Sequence, residues 1–219
     1  MFVGHYGVSF AAKKAEPAIP LWVLFIAVQL LDVLWAPLVL LGIEEARIVP
    51  GITASNPLDL YYMPYTHSLL AAIGWSVVAF LAYRFAVRSA HSRAAAIVGL
   101  AVFSHWVLDF LVHRPDLPLY DNTAKVGLGL WNLPAIALGL EAVLLFGGMW
   151  LYFRLGTARR TAMLVFGVVM LGIQAYVFFG PPPASDKAAA ATALIAYAVF
   201  AVVIRALERR RDLTTPAVV

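Results

Sequence analysis

Apolar residues run along this chain in six long blocks, at about 19–42, 64–86, 94–113, 131–153, 161–180 and 188–206. At a rise of about 1.5 Å per residue, each is long enough for an α-helix to cross a hydrocarbon core about 30 Å thick. Turn formers mark their ends: Pro17 and Pro20 precede the first block, Pro64 opens the second, and Gly180-Pro181-Pro182-Pro183 closes the fifth. The pattern predicts an all-α, polytopic membrane protein with about six transmembrane helices, built as one integral membrane domain over residues 1–219. A shorter apolar segment, MFVGHYGVSFAA, precedes Lys13-Lys14 and predicts a short re-entrant or interfacial helix. If it re-enters, His5 lies roughly 12 Å inside the surface. The block from Ile19 lacks a small-residue cleavage site and is expected to remain as a helix rather than to be removed as a signal peptide.

Basic residues give the direction. Twelve of the sixteen Lys and Arg fall at Lys13-Lys14, in the loops at 84–93 and 154–160, and in the tail from Arg205 through Arg209-Arg210-Arg211. The positive-inside rule then places both termini in the cytoplasm. The arginine tail reads as a topology signal that meets anionic lipid, with no nucleic-acid partner implied. Tyr61, Tyr62 and Tyr65 are expected to form an aromatic belt at the outer interface, and Trp150 and Tyr152 at the inner one.

Composition sets this chain apart from soluble domains. It is 63% hydrophobic and 13% charged with a mean hydropathy of +0.85, where average chains are about half apolar and about a quarter charged. The absence of cysteine excludes disulfides, thiolate zinc sites and thiol nucleophiles. A metal bound here must be held by imidazole and carboxylate, which suits zinc, iron or manganese more than copper(I).

Against that background the polar positions carry the chemistry. His105, Asp109 and His113 are spaced i, i+4, i+8 and share one helix face. Ionisable groups at membrane depth are costly and functional by default. Counting from the predicted boundaries, Asp32 lies about 20 Å deep, His105 about 18 Å and Asp109 about 24 Å. His67, two turns below the outer interface, reaches the same level. Three helices thus offer His and Asp side chains in one slab in the outer half of the membrane, which predicts one or two divalent ions. His113 stands higher, next to Arg114-Pro115. Glu141, in mid-span, is a candidate ligand or proton carrier. The bland alternatives are interhelical hydrogen bonding for His105/Asp109/His113, a structural Asp32, and a helix-end bond for His67. Gln174 reads as helix–helix glue and His91 as a solvated loop residue.

The set HYGVSFAAK, LLDVLW, Thr66-His67-Ser68 and Ser104-His105 with Asp109 resembles the bacterial inner-membrane, LexA-binding-type metal-dependent hydrolases over about residues 1–120. More distantly, the order His, Asp, His, His-x-x-x-Asp looks like the all-helical zinc-dependent phospholipase C family. The resemblance implies a metal-site half at 1–120 with supporting helices at 121–219, and a bacterial inner-membrane location. It also implies a metal-dependent hydrolase in which His5, Asp32, His67, His105 and Asp109 bind the metal, most naturally Zn2+. Before His67 the family's basic, glycine-containing lead-in is replaced by Tyr-Met-Pro-Tyr.

The expected reaction is hydrolysis of a phosphoester or ester in a lipid or lipid-linked substrate. Glu141 is the expected base, Arg114 the group that meets developing negative charge, and His113 a gatepost. The alternative from another class is a transporter that uses the same cluster as an ion or proton pathway. The lack of an inverted repeat speaks against it.

Overall fold

The computed structural model describes residues 1–88, 90–156 and 159–208, so the Arg209-Arg210-Arg211 tail lies outside the described residues. The described residues form eight α-helices and one two-stranded sheet: α1 (His5–Ala15), α2 (Leu21–Val28), α3 (Leu30–Leu40), β1 (Glu45–Ile48), β2 (Leu58–Tyr62), α4 (Leu69–Ala86), α5 (Ser92–Val112), α6 (Pro134–Phe153), α7 (Arg160–Phe179) and α8 (Asp186–Leu207). Helices α4 to α8 are each long and apolar enough to cross a membrane, and α2 with α3 makes a sixth span if the bent pair is counted as one. Large apolar side chains such as Leu70, Val77 and Phe85 on α4, and Val165, Val168 and Val169 on α7, are exposed. Outward rows of this kind suit lipid and not water. This is a multi-pass membrane protein.

The first span is not one straight helix. α2 and α3 meet at Gln29 with a 53° bend. The break leaves carbonyls at the end of α2 without helical partners, and the Val28 carbonyl accepts a hydrogen bond from His105 Nδ1 at 2.7 Å. Gln29 itself donates from Nε2 to the Phe2 carbonyl at 3.0 Å. The second span starts later than the apolar block suggests. Ser68 caps α4 by accepting from the Ala71 amide at 3.1 Å, while its hydroxyl donates to the Pro64 carbonyl at 2.8 Å. His67 therefore sits just ahead of the helix instead of in its first turn.

α1 is the predicted short N-terminal helix, and it is buried inside the bundle, with His5, Tyr6 and Phe10 at 0% exposure. Its Lys13 end emerges beside the ends of other helices. Lys13 pairs with Glu208 at 2.6 Å, Arg93 donates to the Ala15 carbonyl at 3.0 Å, and Arg159 donates to the Ala206 carbonyl at 3.0 Å. Its other end reaches the middle of the bundle. There Gly7 packs backbone to backbone on α6: a Cβ at Gly7 would lie 2.1 Å from the Leu144 carbonyl oxygen, and one at Gly148 would lie 2.1 Å from that of Gly7. Tyr152 is not at the interface as expected from the pattern. It is 4% exposed and its ring lies 5.6 Å from that of Phe10, whereas Trp150 is exposed under Arg154.

The opposite end of the bundle carries an element that the apolar pattern does not announce. β1 and β2 pair antiparallel, with Arg47 opposite Asp59 and Ile48 opposite Leu58. The segment between α5 and α6 folds over this hairpin. Ser55 donates to the Trp131 carbonyl at 2.9 Å, and the Leu69 amide donates to the Pro118 carbonyl at 2.9 Å. Together they roof the site described next.

Candidate metal centre

Four elements deliver the cluster: α1 brings His5, α3 brings Asp32, the turn before α4 brings His67, and α5 brings His105 and Asp109 with His113 just past its end. Two donor groups stand out, His5/His105/Asp109 and Asp32/His67/His105, with the ligand atoms in each within 4.8 Å of one another. The groups predicted from depth counting do converge, and their burial is near complete except at Asp32, whose side chain is 16% exposed.

Hydrogen bonds behind the imidazoles assign their tautomers. Thr66 has one hydroxyl proton and gives it to Glu44 Oε2 at 2.6 Å. His67 Nδ1, 2.8 Å from the same hydroxyl oxygen, must then be the donor. His105 Nδ1 faces the Val28 carbonyl, which can only accept, and His113 Nδ1 faces the Asp116 carboxylate at 2.8 Å. In their neutral form all three rings therefore carry the proton on Nδ1 and turn the Nε2 lone pair inward.

Those lone pairs point at carboxylate oxygens. His105 Nε2 lies 3.1 Å from Asp109 Oδ2 and 3.7 Å from Asp32 Oδ1; His67 Nε2 lies 3.3 Å from Asp32 Oδ1 and 3.9 Å from Asp109 Oδ2; His113 Nε2 lies 3.5 Å from Asp109 Oδ2. His105 Nε2 is buried and makes no hydrogen bond. Neutral imidazoles and carboxylates this close repel unless a cation, a proton on Nε2 or a metal ion, lies among them, and two carboxylates match one divalent charge. The spacing also fits: donors about 2.1 Å from a tetrahedral ion lie about 3.4 Å apart. The residues present could thus hold a divalent metal ion. His105 Nε2 has one lone pair and serves one ion at a time, so the two donor groups are alternative seats for a single ion unless a second is held without His105.

Each carboxylate also has one oxygen tied down away from His67, His105 and His113. Tyr197 of α8 donates to Asp32 Oδ2 at 2.7 Å. Asp109 Oδ1 takes the Met1 α-amino group at 2.5 Å and lies 3.2 Å from His5 Nε2. His5 thus meets Asp109 on the oxygen opposite to the other imidazoles, with its ring stacked on His105 at 4.0 Å and 4°. Outer partners of this kind orient metal ligands and set their basicity. Trp131 packs on His113 with ring centroids 4.1 Å apart.

Glu141 and Arg114 are placed differently from the sequence expectation. Both Glu141 oxygens accept backbone amides of the N-terminal segment, from Phe2 at 3.2 and 3.3 Å and from Gly4 at 2.9 Å. Glu141 lines the cavity but is engaged in holding α1. Arg114 is not among the residues that line the cavity; it pairs with Asp59 and, at 3.2 Å, with Asp116. Sequence reasoning missed Glu44 and Tyr197. A threonine next to a candidate histidine ligand was the available signal for a carboxylate behind it. A tyrosine in mid-span, far from an interfacial belt, was the signal for a buried hydroxyl. His91 caps α5 by accepting from the Ala94 amide at 3.3 Å. Gln174, expected to bridge helices, is 1% exposed with its Oε1 unpartnered.

The cluster forms the floor of a cavity of about 440 Å3. α3, the hairpin, α7 and α8 supply its walls, with Trp35, Leu58, Leu60, Phe178 and Ala193 among them. Ile173, Tyr176 and Val177 of α7 line it and are also exposed on the outside of the bundle.

The relay behind His67 gives a direct test. Thr66→Val removes the hydroxyl that holds Nδ1 and leaves a buried Glu44 oxygen with one partner fewer. Metal affinity is expected to fall about 10- to 100-fold, measured by competition with a chromophoric chelator. Thr66→Ser keeps the hydroxyl and should restore most of it, and equal loss in both variants would rule out the relay.

No protein-family model, curated protein or solved structure matches this chain.

Proposed function

We propose that the protein is a membrane-embedded, metal-dependent hydrolase that cleaves an ester-type bond, phosphoester or carboxylic ester, in a lipid or lipid-linked substrate. The observation that carries this reading is the convergence of three Nδ1-anchored imidazoles and two half-tied carboxylates on the floor of a largely apolar cavity. The resemblance of residues 1–120 to the bacterial inner-membrane metal-dependent hydrolases supports the same class and the same membrane. With imidazole and carboxylate donors at near-tetrahedral spacing and no cysteine, zinc is the metal of choice.

Asp32, His67, His105 and Asp109 are assigned to hold the ion, with His5 and Tyr197 fixing the two carboxylates. A bound metal of this kind lowers the pKa of water towards 7 and polarises the bond to be cleaved. His113 lines the cavity, is held by Asp116, and is the group assigned to pass the proton to the leaving atom. The basic residues on the Lys13 side give that face to the cytoplasm, which puts the cluster in the outer half of the membrane.

Transport is less well supported. Beneath the cluster, Tyr6, Phe10, Phe25, Tyr152, Phe166 and Phe200 pack into a continuous aromatic core. A layer of rings offers an ion or proton no charged group to step onto. The test is elemental analysis of the purified protein followed by chelation. About one divalent ion per chain is expected, and hydrolysis of vesicle lipids should stop on chelation and return with Zn2+. A protein free of metal as isolated, and unable to take it up, would refute the reading.

A further inference from the structure

The cavity over the cluster has a lining that selects among ester-type substrates. No lysine or arginine is among the described residues that line it. Of the basic groups of the roof, Arg47 and Arg114 are both paired with Asp59, and Lys125 donates to the Tyr61 carbonyl at 2.6 Å. The positive group at the floor, the Met1 α-amino, is already bonded to Asp109 at 2.5 Å. The acidic groups Asp32, Asp109 and Glu141 all reach the wall. With Asp32 and Asp109 matched by the divalent ion of the hydrolase reading and the Met1 amino group already bonded, the cavity keeps no unmatched positive charge, and burying the full negative charge of a phosphate diester, or the larger one of a monoester, is costly.

What the cavity does offer is uncharged and unpaired. Trp35 Nε1–H and Gln174 Oε1 are buried, line the cavity and have no hydrogen-bond partner. Unmet buried polar groups of this kind have a real cost and suit a ligand that supplies the complement. An acyl carbonyl accepts from the indole, and a hydroxyl or amide N–H donates to the glutamine. The remaining wall is apolar, and it opens between α7 and α8: Ile173, Tyr176 and Val177 on one side and Thr192 on the other are both cavity-lining and exposed. At about 440 Å3 it is the size of a small-molecule site.

We infer that the substrate is an uncharged acyl lipid, a long-chain carboxylic ester or amide, that enters from the bilayer between α7 and α8 and presents its acyl carbon, not a phosphorus, to the cluster. This rests on the hydrolase reading above. Cleavage adds one water. A carbon–oxygen bond forms between the attacking water and the acyl carbon while His113 Nε2 takes a proton from that water; the bond to the alcohol oxygen or amide nitrogen then breaks with its electron pair, and the leaving atom takes that proton from His113. The products are a fatty acid and an alcohol or amine.

The experiment uses zinc-loaded full-length protein in nanodiscs with two probes, a diacylglycerol and a phosphatidylcholine, whose products are separated by mass spectrometry. Fatty acid released from diacylglycerol, about tenfold faster than any phosphate-bond cleavage of phosphatidylcholine, is the expected result. In parallel, a non-hydrolysable dialkyl ether glycerol with brominated chains should quench tryptophan fluorescence. Ala196 lines the cavity one turn on from Thr192, so Ala196→Phe and Thr192→Phe narrow the entry and should each reduce both quenching and fatty-acid release about tenfold with metal content unchanged. Diacylglycerol released from phosphatidylcholine as the faster reaction, or quenching that both variants leave intact, would overturn the inference while leaving a metal hydrolase standing. Quenching and bound zinc with no cleavage of either lipid would overturn the hydrolase reading and the inference with it.

Discussion

Asp109→Asn is expected to empty the site of metal while leaving the bundle folded. Oδ2 of Asp109 faces the Nε2 atoms of His105, His113 and His67 at 3.1, 3.5 and 3.9 Å, more imidazoles than any other group in the cluster faces. Asparagine has nearly the same volume, so packing around the 2% exposed side chain is kept. Its amide removes one negative charge and can place N–H donors where the lone pairs of the imidazoles point. Those lone pairs would then be satisfied by hydrogen bonds and not by a cation. The loss in metal affinity should exceed the roughly 100-fold upper range for outer-partner variants. Asp116→Asn supplies the scale, since its side chain meets the cluster only through His113 Nδ1, with Arg114 on its other oxygen, and an amide oxygen still accepts from the imidazole. Calorimetric titration with Zn2+ after chelation should show near-complete loss in Asp109→Asn and a smaller loss in Asp116→Asn. Stoichiometric zinc on Asp109→Asn would mean that the carboxylate is structural and that the cluster is a hydrogen-bonded core.

The spans were legible because a bilayer demands long apolar helices, and 161–180 and 188–206 agree with α7 and α8 to within two residues at each end. Depth counting was informative for His105 and Asp109 for the same reason: α5 is an unbroken helix that converts residue number into height. It was uninformative wherever the chain leaves that regularity. The bend at Gln29 depends on bonds to Phe2 and His105, which are distant in sequence. Glu44 acts 22 residues away from Thr66, through a loop and a short hairpin whose strands of four and five residues carry too little alternation to be read. Tyr197, a mid-span tyrosine, meets its partner Asp32 only because α8 packs against α3, which nothing local announces. Glu141 and Arg114 were assigned chemistry from depth and charge alone, and in each case backbone amides or neighbouring carboxylates had already claimed the group.

Gly148→Val should displace α1 and, through it, dismantle one side of the centre. Glu141, Leu144 and Gly148 lie at i, i+3 and i+7 on one face of α6, and α1 runs along that face from Gly4 to Phe10. The Cβ that valine adds meets the Gly7 carbonyl oxygen at 2.1 Å and the Gly7 Cα at 2.8 Å. These are backbone atoms, so no side chain can swing aside, and the helix itself must move. Close backbone approach through small residues is how helices associate where no hydrophobic force separates helix from lipid. Overpacking usually costs about 1–3 kcal/mol, and an obstruction with backbone on both sides belongs at the upper end or above. Gly147 and Gly139 on the same helix have nothing within 4 Å of a built Cβ, so valine there should stay within about 0.5 kcal/mol. Two readouts separate displacement from general unfolding. Ser9→Cys, at a buried position on α1, should become reactive to maleimide in the Gly148→Val background and stay protected with Gly147→Val. Zinc affinity should fall in the first and hold in the second, because His5 and the Met1 amino group that fix Asp109 Oδ1 travel with α1. A Gly148→Val protein that melts with the controls and keeps the thiol of Ser9→Cys protected would show that α1 tolerates a wider separation, and that the close Gly7–Gly148 approach does not position the metal ligands.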